Sequence, residues 1–277
     1  MLFLALLHPI ANLSLWRWSI HLSTVIGILA LAVLYFWAAR KLRREPTLSQ
    51  KILFLSGLLV MFVSLNGPLH DLSDDYLFSA HMVQHLLLTL AMPPLLVSGI
   101  PGWMLRPALS NRFIQPVASF FTRPSIAFVT FNLVIAAWHL PPLYNAAMAN
   151  HNIHIIEHLM FMVAAVLMWW PLLSQLPELP RLAYPGQMLY TFLMSIPMSI
   201  VAVYIAMSDH ILYPAYAAAP RVFDISPLDD QLLGALIMWI PGGMIFYIIM
   251  SVVFFKWNAR GDDSTAGAQI DWKPAEA

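Results

Sequence analysis

The sequence predicts an all-α integral membrane protein with seven transmembrane helices, and two observations support this prediction. Hydrophobic residues make up 60% of the 277-residue chain and charged residues only 10%, and the mean hydropathy of +0.72 lies far above that of a soluble domain. Apolar segments of about twenty residues, the length at which a helix crosses roughly 30 Å of hydrocarbon, recur along the chain. We predict membrane spans at 20–39, 52–68, 80–98, 124–140, 153–173, 186–208 and 230–256.

The distribution of Lys and Arg predicts the orientation of the chain in the membrane. Twelve of the fourteen basic residues fall in the loops on one side, and only Arg17 and Arg221 fall on the other. Cytoplasmic loops carry an excess of Lys and Arg, so we expect the N-terminus outside and the C-terminus in the cytoplasm. We interpret 1–257 as a single polytopic membrane domain and 258–277 as a polar cytoplasmic tail.

Charge and cysteine content exclude several function classes. The formal net charge is zero and the sequence shows no basic stripe, so we expect no nucleic-acid partner. The expected environment of the chain is the lipid bilayer. The chain contains no cysteine. A disulfide framework, a thiolate metal site and a cysteine nucleophile are therefore excluded, and His, Met and carboxylates are the candidate ligands.

The third predicted span carries the most informative pattern, a histidine pair inside an apolar segment. His81 and His85 are four residues apart, so on a helix they share one face about one turn apart. Ionisable side chains within a membrane span are costly, and a functional role is the default hypothesis for them. The structural alternative is hydrogen bonding between helices, which polar side chains often provide in membranes.

The other histidines lie on the same predicted side of the membrane as this pair. His151, His154 and His158 open the fifth span with spacings that keep them on one helical stripe. His139 ends the fourth span, and a short acidic loop runs over 70–75. If the third and fifth spans meet, up to five imidazoles come together. The candidate metal ligands are thus His70, His81, His85, His139, His151, His154 and His158, and the candidates to orient them are Glu157, Gln84 and Asp71.

Imidazole suits copper, zinc, iron and nickel, whereas thioethers add a preference for Cu(I). Sixteen methionines are present, although methionine is also a common gap-filling residue in packed helices. Copper, as Cu(I), is therefore the expected metal. If the protein hands its copper on, we expect incomplete coordination of the ion, unlike the complete coordination of a closed structural metal site.

Two alternative functions remain open from the residues. His154-Ile155-Ile156-Glu157-His158 matches the H-x-x-E-H pattern of zinc proteases, in which two histidines bind zinc and the glutamate activates water. Such an enzyme needs a further ligand, and an outer Asp such as Asp209, Asp229 or Asp230 would have to supply it. A haem bound by two histidines across helices, for example His85 and His158, is the second alternative.

Two patterns concern helix ends. Pro93-Pro94 predicts a kink or an end near the inner end of the third span. Asp229 and Asp230 open the seventh span and complement its helix dipole.

Several motifs together resemble those of one known family. They are His81-Met82-Val83-Gln84-His85, followed by Pro93-Pro94 and Gly99-Ile100-Pro101, the H-x-x-E-H stretch and Trp138-His139. The family that they resemble is the CtaG family of multi-spanning cytochrome c oxidase assembly factors. The resemblance implies a non-enzymatic protein of the bacterial inner membrane. It implies copper delivery to the CuB centre of the catalytic subunit of a haem–copper oxidase, with that subunit and a periplasmic copper donor as partners.

Overall fold

The computed structural model describes residues 18–221 and 224–269, with side chains as far as residue 259. Arg17, which enters the prediction of the orientation above, lies outside these residues. The described chain is helical and contains no strand, so the all-α prediction is confirmed for this part. Its helices are α1 (Leu22–Lys41), α2 (Leu48–Leu65), α3 (Pro68–Asp75), α4 (Phe78–Leu86), α5 (Met92–Gly99), α6 (Gly102–Leu109), α7 (Ile114–Phe121), α8 (Pro124–His139), α9 (Pro141–Ala149), α10 (His151–Leu173), α11 (Tyr184–Ala206), α12 (Pro214–Ala218) and α13 (Pro227–Gln269).

Six helical segments of the described chain are long and apolar enough to cross a membrane, and they coincide with six of the seven predicted spans. The predicted fourth span is the exception, because α8 has only 16 residues. It is preceded by α7, from which it is bent by 72°, and the two together make up the seventh candidate span. The membrane orientation of the termini remains a prediction from the basic residues.

A π-helical turn over Leu87–Ala91 separates α4 from α5 within the third span. Pro93 and Pro94 follow in the first turn of α5, where their missing N–H groups leave carbonyls of the preceding turn without a helical partner. Trp169 of α10 donates its indole N–H to the Thr89 carbonyl at 2.9 Å, and the Thr89 hydroxyl donates to the His85 carbonyl at 2.6 Å. The interruption predicted from the prolines is thus stabilised by side chains.

Two predicted boundaries differ from the structure. The acidic stretch 70–75 is not a loop but most of α3, which Gly67 and Pro68 begin: Gly67 has a φ of +71°, and Pro68 stands in the first turn. The last helix continues to Gln269, beyond the predicted start of the polar tail at 258.

The helices bury two apolar clusters. The larger one lies among α4, α8, α10, α11 and α13, and the smaller one among α1, α2 and α5. At Gly99 the backbones of α5 and α2 approach so closely that an added Cβ would lie 2.4 Å from the Phe54 nitrogen. Large apolar side chains cover the outside of the bundle, as lipid contact requires; examples are Val33, Leu133, Val163 and Ile200.

Asp230 fastens α13 to the helix that carries the histidine pair. Its carboxylate accepts hydrogen bonds from the backbone N–H groups of Phe78, at 2.7 Å, and of Ser79, at 3.2 Å, and it also accepts one from the Ser79 hydroxyl. It therefore caps the N-terminus of α4, which no side chain of α4 itself does. The sequence analysis assigned Asp230 to the dipole of its own helix. Asp229 does fit that role, since it is exposed and bonds to Ser226.

Replacing Asp230 with Ala should lower the free energy of unfolding by about 2 kcal/mol, because two buried N–H groups lose a charged acceptor. Asp229→Ala is the matched control and should cost less than half as much, since its carboxylate is exposed. Thermal denaturation in detergent, followed by circular dichroism, measures the difference. Equal costs for the two variants would contradict the capping role.

Candidate metal centre

Four predicted ligands meet between α4 and α10, and we call them the histidine cluster: His81, His85, His154 and His158. The ring centroids lie 4.1 Å apart in the first pair and 4.4 Å apart in the second. The pairs face each other, since the His81 ring lies 5.7 Å from that of His154 and 5.9 Å from that of His158. All four side chains are buried. One ring nitrogen from each of His81, His154 and His158 lies within 4.8 Å of the others.

Glu157 adds a carboxylate to the histidine cluster. One of its oxygens lies within 4.8 Å of ring nitrogens of both His81 and His85, and its Oε1 is 3.9 Å from His85 Nε2. The side chain is only 1% exposed. The sequence predicts that Glu157 orients a histidine, and its position next to ring nitrogens of His81 and His85 also makes it a candidate ligand.

Most polar atoms of this site have no hydrogen-bond partner among the residues that the structure describes. Both ring nitrogens of His81 and of His85, both oxygens of Glu157 and Nδ1 of His158 are buried without one. His158 and His154 share one hydrogen bond, with their Nε2 atoms 2.8 Å apart. Each unsatisfied buried group costs about 1–3 kcal/mol, and native proteins contain few of them. A cation held by these atoms would satisfy several of them at once.

The geometry of the donors suits a small ion. Two nitrogens that each lie about 2.0–2.1 Å from one ion are at most about 4.2 Å apart, so donors within 4.8 Å of one another need only small side-chain rotations. A haem fits less well. The His81 ring lies 4.1 Å from His85 and 5.9 Å from His158, so a porphyrin between His85 and His158 would have to displace it.

Asp74 of α3 contacts the histidine cluster through His154. Its Oδ2 lies 3.4 Å from Nδ1 of His154 and 3.4 Å from Nε2 of His70. A carboxylate next to a ligating histidine fixes the ring orientation and increases ligand basicity. Asp71, which the sequence analysis proposed for this role, instead accepts a hydrogen bond from the Ser19 hydroxyl.

His70 lies next to Asp74, and Gln84 lies next to His70. The Gln84 amide donates to the Ser64 carbonyl at 2.7 Å, which identifies the facing atom as nitrogen, and this nitrogen also lies 3.0 Å from His70 Nδ1. The His70 proton is therefore on Nε2, facing Asp74. Burial, together with the neighbouring histidines, lowers the pKa of His70 to about 3, so the ring is neutral at neutral pH. Both nitrogens of this predicted ligand are engaged by protein groups.

The two remaining predicted ligands lie at the margins of the cluster. His139 is buried, with its ring centroid 5.8 Å from that of His85, and its Nε2 has no partner while Nδ1 lies 2.8 Å from the Ile135 carbonyl. His151 is exposed at the first position of α10.

Buried aromatic side chains cover the histidine cluster on one side. The Tyr144 ring lies 5.3 Å from His81 and 4.2 Å from Tyr213, and its hydroxyl is 2.9 Å from that of Tyr216. Phe78 stacks on Tyr213 at 4.7 Å. These contacts join α4 to α9 and α12 and exclude water from the pair on α4.

Asp74, Tyr213 and Tyr216 were not identified from the sequence as parts of the site. For Asp74 an indication was present, because His70 and Asp74 are four residues apart and α3 places them on one face. Tyr213 and Tyr216 lie far in the chain from the histidine cluster and share no spacing with it.

Comparison with known proteins gives a family and two relatives. The cytochrome c oxidase caa3 assembly factor family matches residues 33–260. The chain is 24% identical over 274 residues to an uncharacterized protein of Mycobacterium bovis and to one of Mycobacterium tuberculosis, with 93% of this chain and 41% of each relative covered. It thus spans about two fifths of the length of these relatives. No solved structure matches the chain.

The matched region includes the histidine cluster, Glu157 and Asp74, and the resemblance stated from the motifs is confirmed. The family is one of assembly factors and not of enzymes, which favours the predicted non-enzymatic role over the protease alternative. This chain belongs to the cytochrome c oxidase caa3 assembly factor family.

Proposed function

We propose that this protein binds copper as Cu(I) in the histidine cluster and delivers it during assembly of a haem–copper oxidase, at the CuB centre of the catalytic subunit. The observation that supports this most directly is the set of unpartnered nitrogens and oxygens of His81, His85 and Glu157. Hydrogen bonding between helices, the structural alternative for the histidine pair, does not account for atoms that have no hydrogen-bond partner.

The buried, apolar surroundings favour a monovalent ion. Charge is costly to bring out of water, and the cost is reduced when an opposite charge lies close by. Cu(I) bound by neutral imidazoles brings one positive charge, which the carboxylate of Glu157 compensates. A divalent ion would also need the second nearby carboxylate, that of Asp74, to compensate its remaining charge.

The number of donors suits transfer better than storage. The donors form two sets of three that share His81, the first with His154 and His158 and the second with His85 and Glu157, and a tetrahedral ion uses at most four ligands. An ion can therefore exchange one ligand for another without becoming free. Stepwise exchange of this kind is how a copper carrier would receive the ion from a periplasmic donor and pass it to the oxidase.

We place the protein in the bacterial inner membrane with the histidine cluster near the outer face. The asymmetry of Lys and Arg supports this orientation, since the loops on the opposite side carry twelve of the fourteen basic residues. A copper donor outside the cytoplasm would then have the shortest route to the site.

Cu(I) titration of the purified protein, without oxygen and against a chromophoric Cu(I) chelator, tests the binding site. His81→Leu and His85→Leu should each weaken Cu(I) binding by more than the roughly 10- to 100-fold that loss of an outer partner costs. Their apo forms should keep wild-type thermal stability, because unpartnered polar atoms are replaced by apolar ones.

His210→Ala, which removes an exposed histidine, is the control and should leave Cu(I) binding unchanged. Unchanged affinity in both cluster variants would refute the site. Tighter binding of Zn²⁺ than of Cu(I) would refute the choice of metal.

The assembly role is tested in bacteria whose own copy of the gene has been deleted. Cells that carry His81→Leu should make the oxidase polypeptides but show at least tenfold lower oxidase activity, because the CuB centre lacks copper. Cells that carry His210→Ala should match the wild type. Oxygen consumption and the copper content of the purified oxidase are the measurements, and full activity with His81→Leu would contradict the proposal.

A further inference from the structure

A cavity of about 480 Å³ lies between α1, α2 and α10 and reaches the histidine cluster from the side. His154 and His158 of the cluster line it, together with Gly27 of α1, Met61 of α2 and Met162 of α10. Two candidate ligands of an otherwise buried site therefore border open space in this direction.

Bulky side chains fill the space next to the cluster in other directions. Tyr144, 1% exposed, lies 5.3 Å from the His81 ring, and Phe161, fully buried, lies 4.5 Å from the His85 ring. An ion arriving from either direction would have to move an aromatic ring out of a close-packed core. Among the described residues that line the side facing α1 there is no Phe, Tyr or Trp, so entry from this side needs no such movement.

We propose that the metal ion enters and leaves the histidine cluster laterally, between α1 and α10, through this cavity. The inference rests on the proposed copper function and adds its route. The ion would reach the pair on α10 first, His154 and His158, and then the pair on α4. This order follows from the lining of the cavity, which includes the first pair.

One face of α1 forms the outer wall of the route. Its lining residues stand at positions 23, 24, 27, 28 and 31, a spacing that selects a single helical face. Gly27 is at the centre of this face, and a Cβ added there meets no atom within 4 Å. α1 is also the least buried of the candidate spans.

Potential copper ligands continue from the cluster to the end of the cavity where α1 and α10 begin. His21 and His151 line that end, and Nε2 of His21 is buried without a hydrogen-bond partner. The thioethers of Met61 and Met162 line the wall farther along. Imidazole and thioether are both Cu(I) ligands, so an ion can move through this space by ligand exchange.

The absence of cysteine from the chain allows the cavity to be blocked after folding. A single cysteine is introduced as Gly27→Cys, and the folded, purified protein is alkylated with a bulky maleimide. The control is Leu29→Cys with the same cap. Leu29 is on α1, two residues away and therefore on the opposite face, where it is 58% exposed. Capping converts the thiol to a thioether in both proteins, so neither gains a thiolate ligand for copper.

Stopped-flow mixing with a weak chromophoric Cu(I) complex gives the rate of loading, and subsequent addition of a strong chelator gives the rate of release. The capped Gly27→Cys protein should load and release at least tenfold more slowly than the capped Leu29→Cys protein. The final stoichiometry and affinity should be equal, because blocking a route changes rates and not the equilibrium.

Equal rates in the two capped proteins would overturn the lateral route. A lower final stoichiometry or affinity in the capped Gly27→Cys protein than in the capped Leu29→Cys protein would also overturn it, since the slower rates would then come from a disturbed site and not from a blocked path. A wild-type protein that binds no Cu(I) at all would instead refute the proposed function, so the two failures are distinguishable.

Discussion

Burial of ionisable side chains without hydrogen-bond partners, in the middle of an apolar bundle, is the constraint on which the site depends. The histidine cluster and Glu157 are between 0 and 7% exposed. Each unpartnered group costs about 1–3 kcal/mol, against a total folding free energy that is typically about 5–15 kcal/mol. The surrounding packing has to offset this cost in the apo protein. Features that lower stability without a structural benefit are typical of functional sites, where a bound ligand supplies the missing interactions.

The rest of the structure holds these side chains in place. Asp230 caps the helix that carries His81 and His85, and the π-helical turn begins two residues after His85, where Thr89 and Trp169 stabilise it. On the second helix, Asp74 contacts His154. The supporting contacts therefore involve α3, α10 and α13 as well as α4. None of these contacts involves α1, which is the least buried of the candidate spans.

Much of this arrangement follows from the sequence, because membrane spans need about twenty apolar residues and a helix places residues i and i+4 on one face. The pairs on α4 and α10 were predictable for that reason. Three features were not. The bend before α8 depends on a break of only two residues, 122–123. The helix that positions Asp74 follows from a positive φ at Gly67. The partner of Asp230 lies about 150 residues away in the chain, at Phe78 and Ser79, and no local pattern identifies it.

X-ray absorption at the copper edge of the Cu(I)-loaded protein tests the central claim most directly, because it reports the atoms bound to the ion. The histidine cluster predicts a first shell of nitrogen at about 2.0 Å, with the multiple-scattering pattern of imidazole rings. A first shell dominated by sulfur at about 2.3 Å, or one without imidazole scattering, would contradict it and place the copper elsewhere in the protein.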